Sequence, residues 1–404
     1  MMWWLLALPA LWLLTLWLLI LLLFAGPVRA AWREPVLRHP VLIIESDDWG
    51  PGPVSHAQAL RSLRDLLTAH RDMTGRPPVM TLGLILSLPD GEAIAASDFT
   101  AYRARLITDP AYADILAALR AGIDAGVFVP QLHGMAHYWP PALMSAARDD
   151  PAVRDWLLAG PHQETEALPS PLQSRWVDGS VLPSRPIPAE KIHGAVAEEV
   201  AFYRQVFGAA PEVVVPPTFV WTPEVEAAWA AHGMRALVTP GRPCTGRDAQ
   251  GRPDCASTPI HNGQRGLGDI RYLVRDRYFE PARGHRAEQG LQALAGKTAQ
   301  GRPCLLETHR FNFTGAGAEA ALAELDALLR RALAEHPTVR FISPAELAEH
   351  YRAHGVRPFA PLGRRLAAWK ARMQEVPRFA RLARLTGLEW ALAGFTPQSR
   401  GKVK

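Results

Sequence analysis

The sequence has few cysteines, no recognisable internal repeat and no excess of positive charge outside its C-terminal end. Its 404 residues carry a net charge of +5, and residues 363–404 alone contribute ten Lys or Arg against two Glu. The remaining body is therefore slightly acidic, which argues against a nucleic-acid-binding function. Hydrophobic residues make up 48% and charged residues 21% of the chain. This composition excludes a disordered protein and fits one large globular domain or two ordinary ones.

The three cysteines allow at most one disulfide within the chain. Cys244 and Cys255 bracket the polar, turn-rich stretch CTGRDAQGRPDC, which a disulfide could close. Two unpaired thiols on a loop fit the sequence nearly as well. Cys304 lies in an apolar strand-like segment and is expected to be a buried thiol.

Charged residues are also absent from the start of the chain. The 22 residues from position 3 to position 24 contain none and are mostly Leu and Trp. This length is enough to cross a bilayer. A secretory signal peptide usually has a basic start and a shorter apolar core, and no basic side chain precedes this run. We therefore expect residues 1–30 to be an uncleaved transmembrane anchor, and a signal segment cleaved at VRAA, from Val28, is the alternative.

The sequence gives conflicting signals about the side of the membrane. Arg29, Arg33 and Arg38 follow the apolar run, and the positive-inside rule would keep them cytoplasmic. A disulfide would instead need an oxidising compartment. We expect an extracytoplasmic body, with the cytoplasmic face as the alternative. The basic tail, residues 357–404, could lie on an anionic membrane surface or pack on the body with its Arg side chains in water.

Strand-like and helix-like segments alternate from residue 36 to residue 356. Seven or eight such units predict an α/β fold, a parallel (β/α) barrel, and a doubly wound open sheet is the alternative. Two loops rich in Pro and polar residues, 138–189 and 239–268, interrupt the alternation and are expected to be binding loops or lids. The predicted strands are 41–44, 79–86, 127–132, 213–215, 236–238, 270–274, 304–306 and 339–342. The predicted helices are 57–70, 98–125, 189–207, 223–232, 287–294, 318–334 and 344–354.

Polar side chains follow several of the predicted strands. Asp47 and Asp48 follow the first strand in the motif SDDWG, and His133 and His137 follow the third in HGMAH. His309 follows the strand at 304–306. The carboxyl ends of parallel strands meet at one edge of a sheet or barrel, where active sites lie. We therefore expect these five side chains to converge on one mouth.

The His-x-x-x-His spacing places two imidazoles on one side of a helical turn or close together in a tight loop. Two histidines and one carboxylate form a metal-ligand set that leaves positions open for water. The spacing alone is weak evidence, and the pair Asp47–Asp48 could simply cap the helix that follows. The histidines at matching strand ends favour the metal interpretation.

This combination of motifs resembles the polysaccharide deacetylases, the metal-dependent family that includes chitin and peptidoglycan N-deacetylases. The family has an aspartate pair after its first strand, here SDDWG, and a His-x-x-x-His motif, here HGMAH. It also has a proline-rich motif, here VPPTFVW, and a final strand that ends in a histidine, here LETHRF. The resemblance covers about residues 40–313 and implies a distorted barrel of about seven strands.

The resemblance also implies a role for each residue. Asp48, His133 and His137 would hold a divalent metal, with zinc expected, because a bound cation polarises the scissile carbonyl and activates water. Asp47 would be the general base that takes a proton from the attacking water. His309 would protonate the departing amine, which is a poor leaving group otherwise.

Four further residues are predicted to contact the substrate. A backbone N–H near Thr218 would help to stabilise the oxyanion. Trp49 and Trp221 lie next to the proposed site in the sequence, and aromatic faces suit the apolar faces of sugar rings, although ordinary core packing is the alternative. Arg310 is also placed on the substrate side.

Two positions depart from the family pattern. The third motif commonly begins with an Arg that steers the base, and here this position is Val215. Arg310, Arg275 or Arg277 could substitute from another strand. The aspartate that orients the acid histidine has no clear match, and Asp269 and Asp276 are the candidates.

The sequence therefore predicts a membrane-anchored, metal-dependent hydrolase that removes acetyl groups from N-acetylated sugars of a polysaccharide or glycolipid. One alternative is a hydrolase on the same scaffold that cleaves another C–N bond, an O-acetyl ester or a glycosidic bond. The other is a non-catalytic glycan-binding protein. No nucleic-acid partner is expected.

Overall fold

Within the described residues, nine parallel strands form the central sheet. In this computed structural model, which describes residues 3–354 and 360–394, each strand pairing in the central sheet is parallel. The spatial order is β6-β5-β4-β3-β2-β1-β8-β7, and β9 pairs with the start of β1. The strands are β1 (Val41–Trp49), β2 (Met80–Ile85), β3 (Phe128–Gly134), β4 (Val213–Val214), β5 (Ala236–Thr239), β6 (Arg271–Val274), β7 (Arg277–Tyr278), β8 (Cys304–His309) and β9 (Arg340–Phe341).

The two ends of this sheet are formed by one stretch of chain. Strand β6 pairs with β5 at one end, and β7 pairs with β8 at the other. Only Arg275 and Asp276 separate β6 from β7. The sheet therefore curls until its ends meet, which is consistent with a distorted (β/α) barrel and not with an open doubly wound sheet. The eight predicted strands are confirmed, and the short strand β7 was not predicted.

Alternation along the strands places the polar residues inside the barrel. Successive strand residues point to opposite faces. Val41 and Ile43 lie in the inner apolar cluster, whereas Leu42 and Ile44 lie in the outer core beneath the helices. The same alternation continues upward, so Glu45 and Asp47 share the inner face of β1. On β8 the residues paired with Ile43, Glu45 and Asp47 are Leu305, Glu307 and His309.

Helices cover the outside of the sheet, and their apolar faces form the main core with it. The short helix α13 closes the bottom of the barrel with Leu347, Ala348 and Tyr351. The helices are α1 (Trp3–Leu23), α2 (Ala25–Arg33), α3 (Ser55–Thr68), α4 (Gly91–Ala96), α5 (Ala113–Asp124), α6 (Pro140–Asp149), α7 (Pro151–Leu158), α8 (Ala189–Phe207), α9 (Pro223–Ala231), α10 (Ala287–Ala299), α11 (Phe311–Thr314), α12 (Ala318–Glu335), α13 (Pro344–His354), α14 (Leu362–Met373), α15 (Pro377–Leu385) and α16 (Leu388–Gly394).

One predicted helix is wrong over half of its length. Residues 98–125 were predicted to be helical, but the helix α5 begins only at Ala113. Asp98 and Phe99 have φ values of 52° and 54°, which a helix cannot contain. Farther along, Ala104–Leu106 pairs antiparallel with Ser87–Pro89. Tertiary pairing has thus overridden the helical propensity of this Ala-rich stretch.

The two ends of the chain pack against each other. Ile20 of α1 and Ala31 of α2 share an apolar cluster with Trp369, Met373 and Phe379 of the tail. Buried Arg372 donates hydrogen bonds to the carbonyl oxygens of Ala31, Glu34 and Pro35 at the end of α2. The described part of the tail therefore packs on the first two helices and also on the body, where Arg372 donates to the carbonyl oxygen of Gln300, although Arg372 itself is buried and not in water.

The predicted transmembrane helix is not confirmed as a single span. Among the described residues, no single helix is long and apolar enough to cross a bilayer. Residues 7–23 and 25–33 together have the length and apolar composition of a span, but they are bent by 72° at the break between them. The side chains of Leu11, Trp12 and Leu18 are mostly exposed in the isolated chain. Membrane anchoring stays a prediction.

Candidate metal centre and active site

Asp48, His133 and His137 converge at the mouth of the barrel. Asp48 Oδ1 lies 3.4 Å from Nε2 of His133 and 3.6 Å from Nε2 of His137. The Nδ1 of His133 is 2.7 Å from the carbonyl oxygen of Val215 and, as the donor of that bond, leaves its Nε2 lone pair facing Asp48. One potential ligand atom from each of the three residues lies within 4.8 Å of the other two.

The backbone at Asp48 explains how two adjacent carboxylates can face the same pocket. Asp48 has a φ of 69°, in the left-handed region that residues other than glycine rarely adopt. This turn interrupts the strand alternation immediately after Asp47. Such strained residues cost about 1–3 kcal/mol and persist where the surroundings impose them, often at functional sites.

The three residues fit a divalent cation. Asp48 Oδ1 is buried and has no hydrogen-bond partner among the described residues, which is costly unless a ligand satisfies it. Burial lowers the pKa of His137 to about 4, so its imidazole is neutral and can donate a lone pair. Burial also opposes charge on His133, but Asp47 and Asp48 outweigh it and raise the pKa. A bound dication would displace that proton.

Asp47 is held beside this set by a buried arginine. Its Oδ2 accepts a hydrogen bond from Nη2 of Arg275 at 2.5 Å. Burial opposes ionisation of Asp47, but the charges of Arg275 and His133 outweigh it and lower its pKa. The other oxygen, Oδ1, has no hydrogen-bond partner among the described residues and faces Gly83, where a Cβ would lie 2.3 Å away. Gly83 therefore leaves room for an ionised carboxylate that can accept a proton.

Arg275 thus occupies the role for which the sequence offered three candidates. It replaces the motif arginine absent at Val215, and it reaches Asp47 from the break between β6 and β7. Arg277 follows two residues later in β7, and its side chain is exposed. Arg310 instead contacts His56.

His309 lies opposite Asp48 and is held by a glutamate that the sequence analysis missed. Its Nδ1 is 2.5 Å from Glu280 Oε1. Burial lowers the pKa of His309, but the hydrogen bond to Glu280 and the charges of Asp48 and Asp47 outweigh this effect and raise it to about 9. The imidazolium is therefore the main form at pH 7, so that Nε2 can donate a proton.

Both predicted partners of His309 are wrong. Asp276 points away from the site and forms an ion pair with Lys297, because it follows inward-facing Arg275 in the chain. Asp269 pairs with Arg265 and Arg271. Glu280 carries the only acidic side chain in the segment RYFEP. Glu280 could have been identified from this short segment if β7 had been recognised as a strand.

A buried polar layer lies directly below the site. Arg275 contacts three carboxylates, with Glu45 Oε2 at 3.8 Å, Glu307 Oε2 at 3.5 Å and Asp47 at 2.5 Å. Glu45 also accepts a hydrogen bond from Gln131. Burial raises the pKa of Glu45 to about 7 despite the charge of Arg275. Glu307 lies 3.7 Å from Nε2 of His309, so the site has one more carboxylate than the motifs predicted.

A pocket of about 550 Å³ opens above these residues. Thr218, with a φ of 55°, lies on one wall, and its hydroxyl hydrogen-bonds with Ser174. Cys244 and Cys255 form a disulfide at the rim, as the spacing allowed, and Cys304 is a buried free thiol as predicted. Three aromatic side chains also line the pocket, those of Phe219, Tyr278 and Phe311.

The two tryptophans predicted to contact the substrate do not line this pocket. Trp49 is 0% exposed, and its indole N–H donates to Ser46 Oγ. Trp221 is 3% exposed and donates to Glu226. Neither has a face open to a sugar ring, so the packing alternative is correct for both. Tyr278, which is 52% exposed, is an accessible aromatic ring at the pocket.

No protein-family model and no curated protein matches the sequence. Similar solved structures include a 4-alpha-glucanotransferase from Thermococcus litoralis, at 11% identity over 77% of this chain and 40% of that chain, with a TM-score of 0.40. A family 4 carbohydrate esterase from Streptomyces lividans matches at 11% identity over 76% of this chain and 99% of that chain, with a TM-score of 0.33. A peptidoglycan deacetylase from Bacillus subtilis matches at 11% identity over 78% of this chain and 93% of that chain, with a TM-score of 0.34.

The chain is thus similar in fold to one carbohydrate esterase and one peptidoglycan deacetylase. It spans less than half of the glucanotransferase.

Proposed function

We propose that the protein is a metal-dependent hydrolase that removes acetyl groups from N-acetylated sugars of a polysaccharide or glycolipid. The observation that carries this proposal is the pairing of Asp47 and His309. They are register partners on neighbouring strands, and both lie beside the candidate metal ligands. One is an ionised carboxylate and the other a protonated imidazole, the pair of groups that amide hydrolysis requires.

The chain's own residues account for the proton transfers. A divalent metal at Asp48, His133 and His137 would supply Lewis acidity, with zinc favoured by the ligand set. Asp47 accepts a proton from the attacking water through Oδ1, while Arg275 holds Oδ2 in place. Water oxygen bonds to the carbonyl carbon, the C–N bond breaks, and His309 gives its Nε2 proton to the departing nitrogen. The products are acetate and a free amine.

An acetate-release assay tests this reaction directly. Full-length protein loaded with zinc should release acetate from N-acetylglucosamine oligomers, and the amine should appear in equal amount. Release from O-acetylated sugars alone would favour the ester alternative. Binding of oligomers without release of either product would favour the non-catalytic alternative.

Replacing Glu280 with Gln should shift the alkaline limb of activity. The general acid is active only when protonated, so activity falls as the pH rises through the pKa of His309. Glu280 raises that pKa, and its loss should move the alkaline limb down by about one to two pH units, the equivalent of one charge-assisted hydrogen bond. The charge of a bound metal would have the same effect on the pKa of His309 in the variant and in the unsubstituted protein. The measurement is kcat/KM from pH 5 to pH 10.

The matched control for this variant is Glu190→Gln, which removes an exposed glutamate in the first turn of α8. Its profile should coincide with that of the unsubstituted protein. An unchanged alkaline limb in Glu280→Gln would show that Glu280 does not set the acidity of the general acid.

We also propose that α1 and α2 attach the protein to a membrane, with the body on the extracytoplasmic side. The exposed apolar side chains of α1 and the rim disulfide support this arrangement.

Leu11 and Leu18 are 63% and 57% exposed. Changing both to Arg should release the full-length chain from washed membranes, because each charge costs about 2.5–3.5 kcal/mol in a bilayer. The control is Val54→Arg, at a 69% exposed site on the body. Retention of the double variant would exclude α1 as the anchor.

A further inference from the structure

A small recess lies beside the candidate metal centre. It has a volume of about 60 Å³ and shares Asp48 and Thr165 with the main pocket. Its other walls combine apolar residues, among them Pro51, Pro53 and Ile85, with the polar residues His162, Gln163 and Glu164. The recess is too small for a sugar ring, but it can hold a substituent of a few atoms on a sugar bound at the metal.

Arg310 lies at this recess and is only 7% exposed. Its Nη1 is 3.1 Å from Nε2 of His56, a buried ring whose pKa is lowered to about 3 by burial and by Arg310 itself. His56 is therefore neutral and accepts a hydrogen bond without balancing the charge. Within the described part of the chain, the only carboxylate within 4.0 Å of the guanidinium belongs to Glu166, at 4.0 Å and partly exposed.

The guanidinium also has an open edge. Nε of Arg310 is buried and has no hydrogen-bond partner among the described residues. Nη2 has only the distant Glu166. These two N–H groups point in parallel, which is the geometry that binds both oxygens of a carboxylate. A buried charge without a close partner is costly, so such an arrangement is expected where a ligand completes it.

We propose that Arg310 binds a carboxylate of the substrate in this recess, so that the protein acts on acidic N-acylated sugars. This inference rests on the proposed function, since it places the scissile amide at the metal centre beside Asp48. The carboxylate belongs either to the sugar or to the acyl group. A neutral sugar would leave the open edge of Arg310 unsatisfied.

Three probes distinguish these sources. N-acetylglucosamine is neutral, N-acetylmuramic acid adds a carboxylate to the same ring, and N-succinylglucosamine carries one on the acyl group. Dissociation constants are measured by calorimetry on the zinc-loaded, full-length Asp47→Asn variant, so that no probe is consumed. We expect one of the carboxylated probes to bind at least about tenfold more tightly than the neutral one, as for one charged hydrogen-bonded pair.

The same measurement with Arg310→Gln added should abolish this preference, so that the carboxylated probes bind no more tightly than N-acetylglucosamine. Arg64→Gln, which removes a surface arginine paired with Asp65, should keep the preference. Equal binding of all three probes to the protein with Arg310 intact would overturn the proposal, as would a preference that survives Arg310→Gln. The comparison of probes needs no Arg310 variant, so a folding defect cannot mask the result.

These outcomes are separate from those of the proposed function. If unsubstituted protein releases no acyl group from any probe but still prefers a carboxylated one through Arg310, the hydrolytic proposal fails and the carboxylate site stands. If it releases acetate and shows no preference, the reverse holds.

Discussion

The Asp47→Asn variant should keep its bound zinc and lose about 10²–10⁴-fold in kcat, the range for removing a positioned general base. The amide is nearly the same size as the carboxylate and can still accept a hydrogen bond from Arg275, but it cannot take a proton from water. The measurement combines acetate release with elemental analysis of the same sample. Asp47 is not one of the three grouped candidate ligands, Asp48, His133 and His137. Its substitution should therefore lower turnover without removing the metal.

The matched control is Asp276→Asn. Asp276 lies one residue beyond Arg275 and pairs with Lys297 outside the barrel. Its loss removes one acid of the same type from the same region without touching the site, so kcat should stay within about twofold, as for an ordinary surface change. Normal turnover in Asp47→Asn would remove Asp47 as the base.

The inner face of the barrel could be predicted from the sequence because strand alternation is a local rule. Asp47 is inside because Ile43 and Glu45 are inside, and His309 is inside because Leu305 is. The apolar residues that identify the strands also determine which polar residues follow on the same face. Asp47 and His309 could therefore be placed on the inner face from alternation alone, whereas Asp48 reaches the same pocket through the left-handed turn that interrupts the alternation.

The partners of those residues could not be predicted, because they depend on how the barrel closes. Arg275 reaches Asp47 only because the break between β6 and β7 faces inward. Glu280 reaches His309 because β7 pairs with β8, and β7 is a two-residue strand with an exposed tyrosine. Such a strand has no apolar periodicity to detect. The same rule of alternation, applied to Asp276, would have excluded it as soon as Arg275 was placed inside.

The burial of the aromatic residues also could not be predicted from the sequence. Trp49 directly follows the acidic pair, but its ring turns into the core and bonds to Ser46. The sequence places it beside Asp48, while the left-handed turn at Asp48 sends the two side chains in different directions. Proximity in sequence to a polar motif is therefore weak evidence for exposure to the pocket.

Loss of any one of the three grouped ligands should remove the metal. Asp48→Ala, His133→Ala and His137→Ala each leave two donors, and we expect the affinity for zinc to fall by more than the roughly 10–100-fold that loss of a residue supporting a ligand causes. Turnover should fall with occupancy. The measurement is zinc content after dialysis, together with the zinc-dependent rise in melting temperature, which follows from binding to the folded state alone.

His70→Gln is the control for these variants. His70 is also a buried histidine, but it pairs with Asp326 on the outside of the barrel, between helices α3 and α12. It should bind zinc like the unsubstituted protein even if its melting temperature is lower. Full zinc content in His133→Ala would contradict the assignment most directly, because the bond from its Nδ1 to Val215 is what aims Nε2 at Asp48. The hydrolytic centre depends on that orientation, and the loss of zinc with His133 but not with His70 would connect it to this one imidazole.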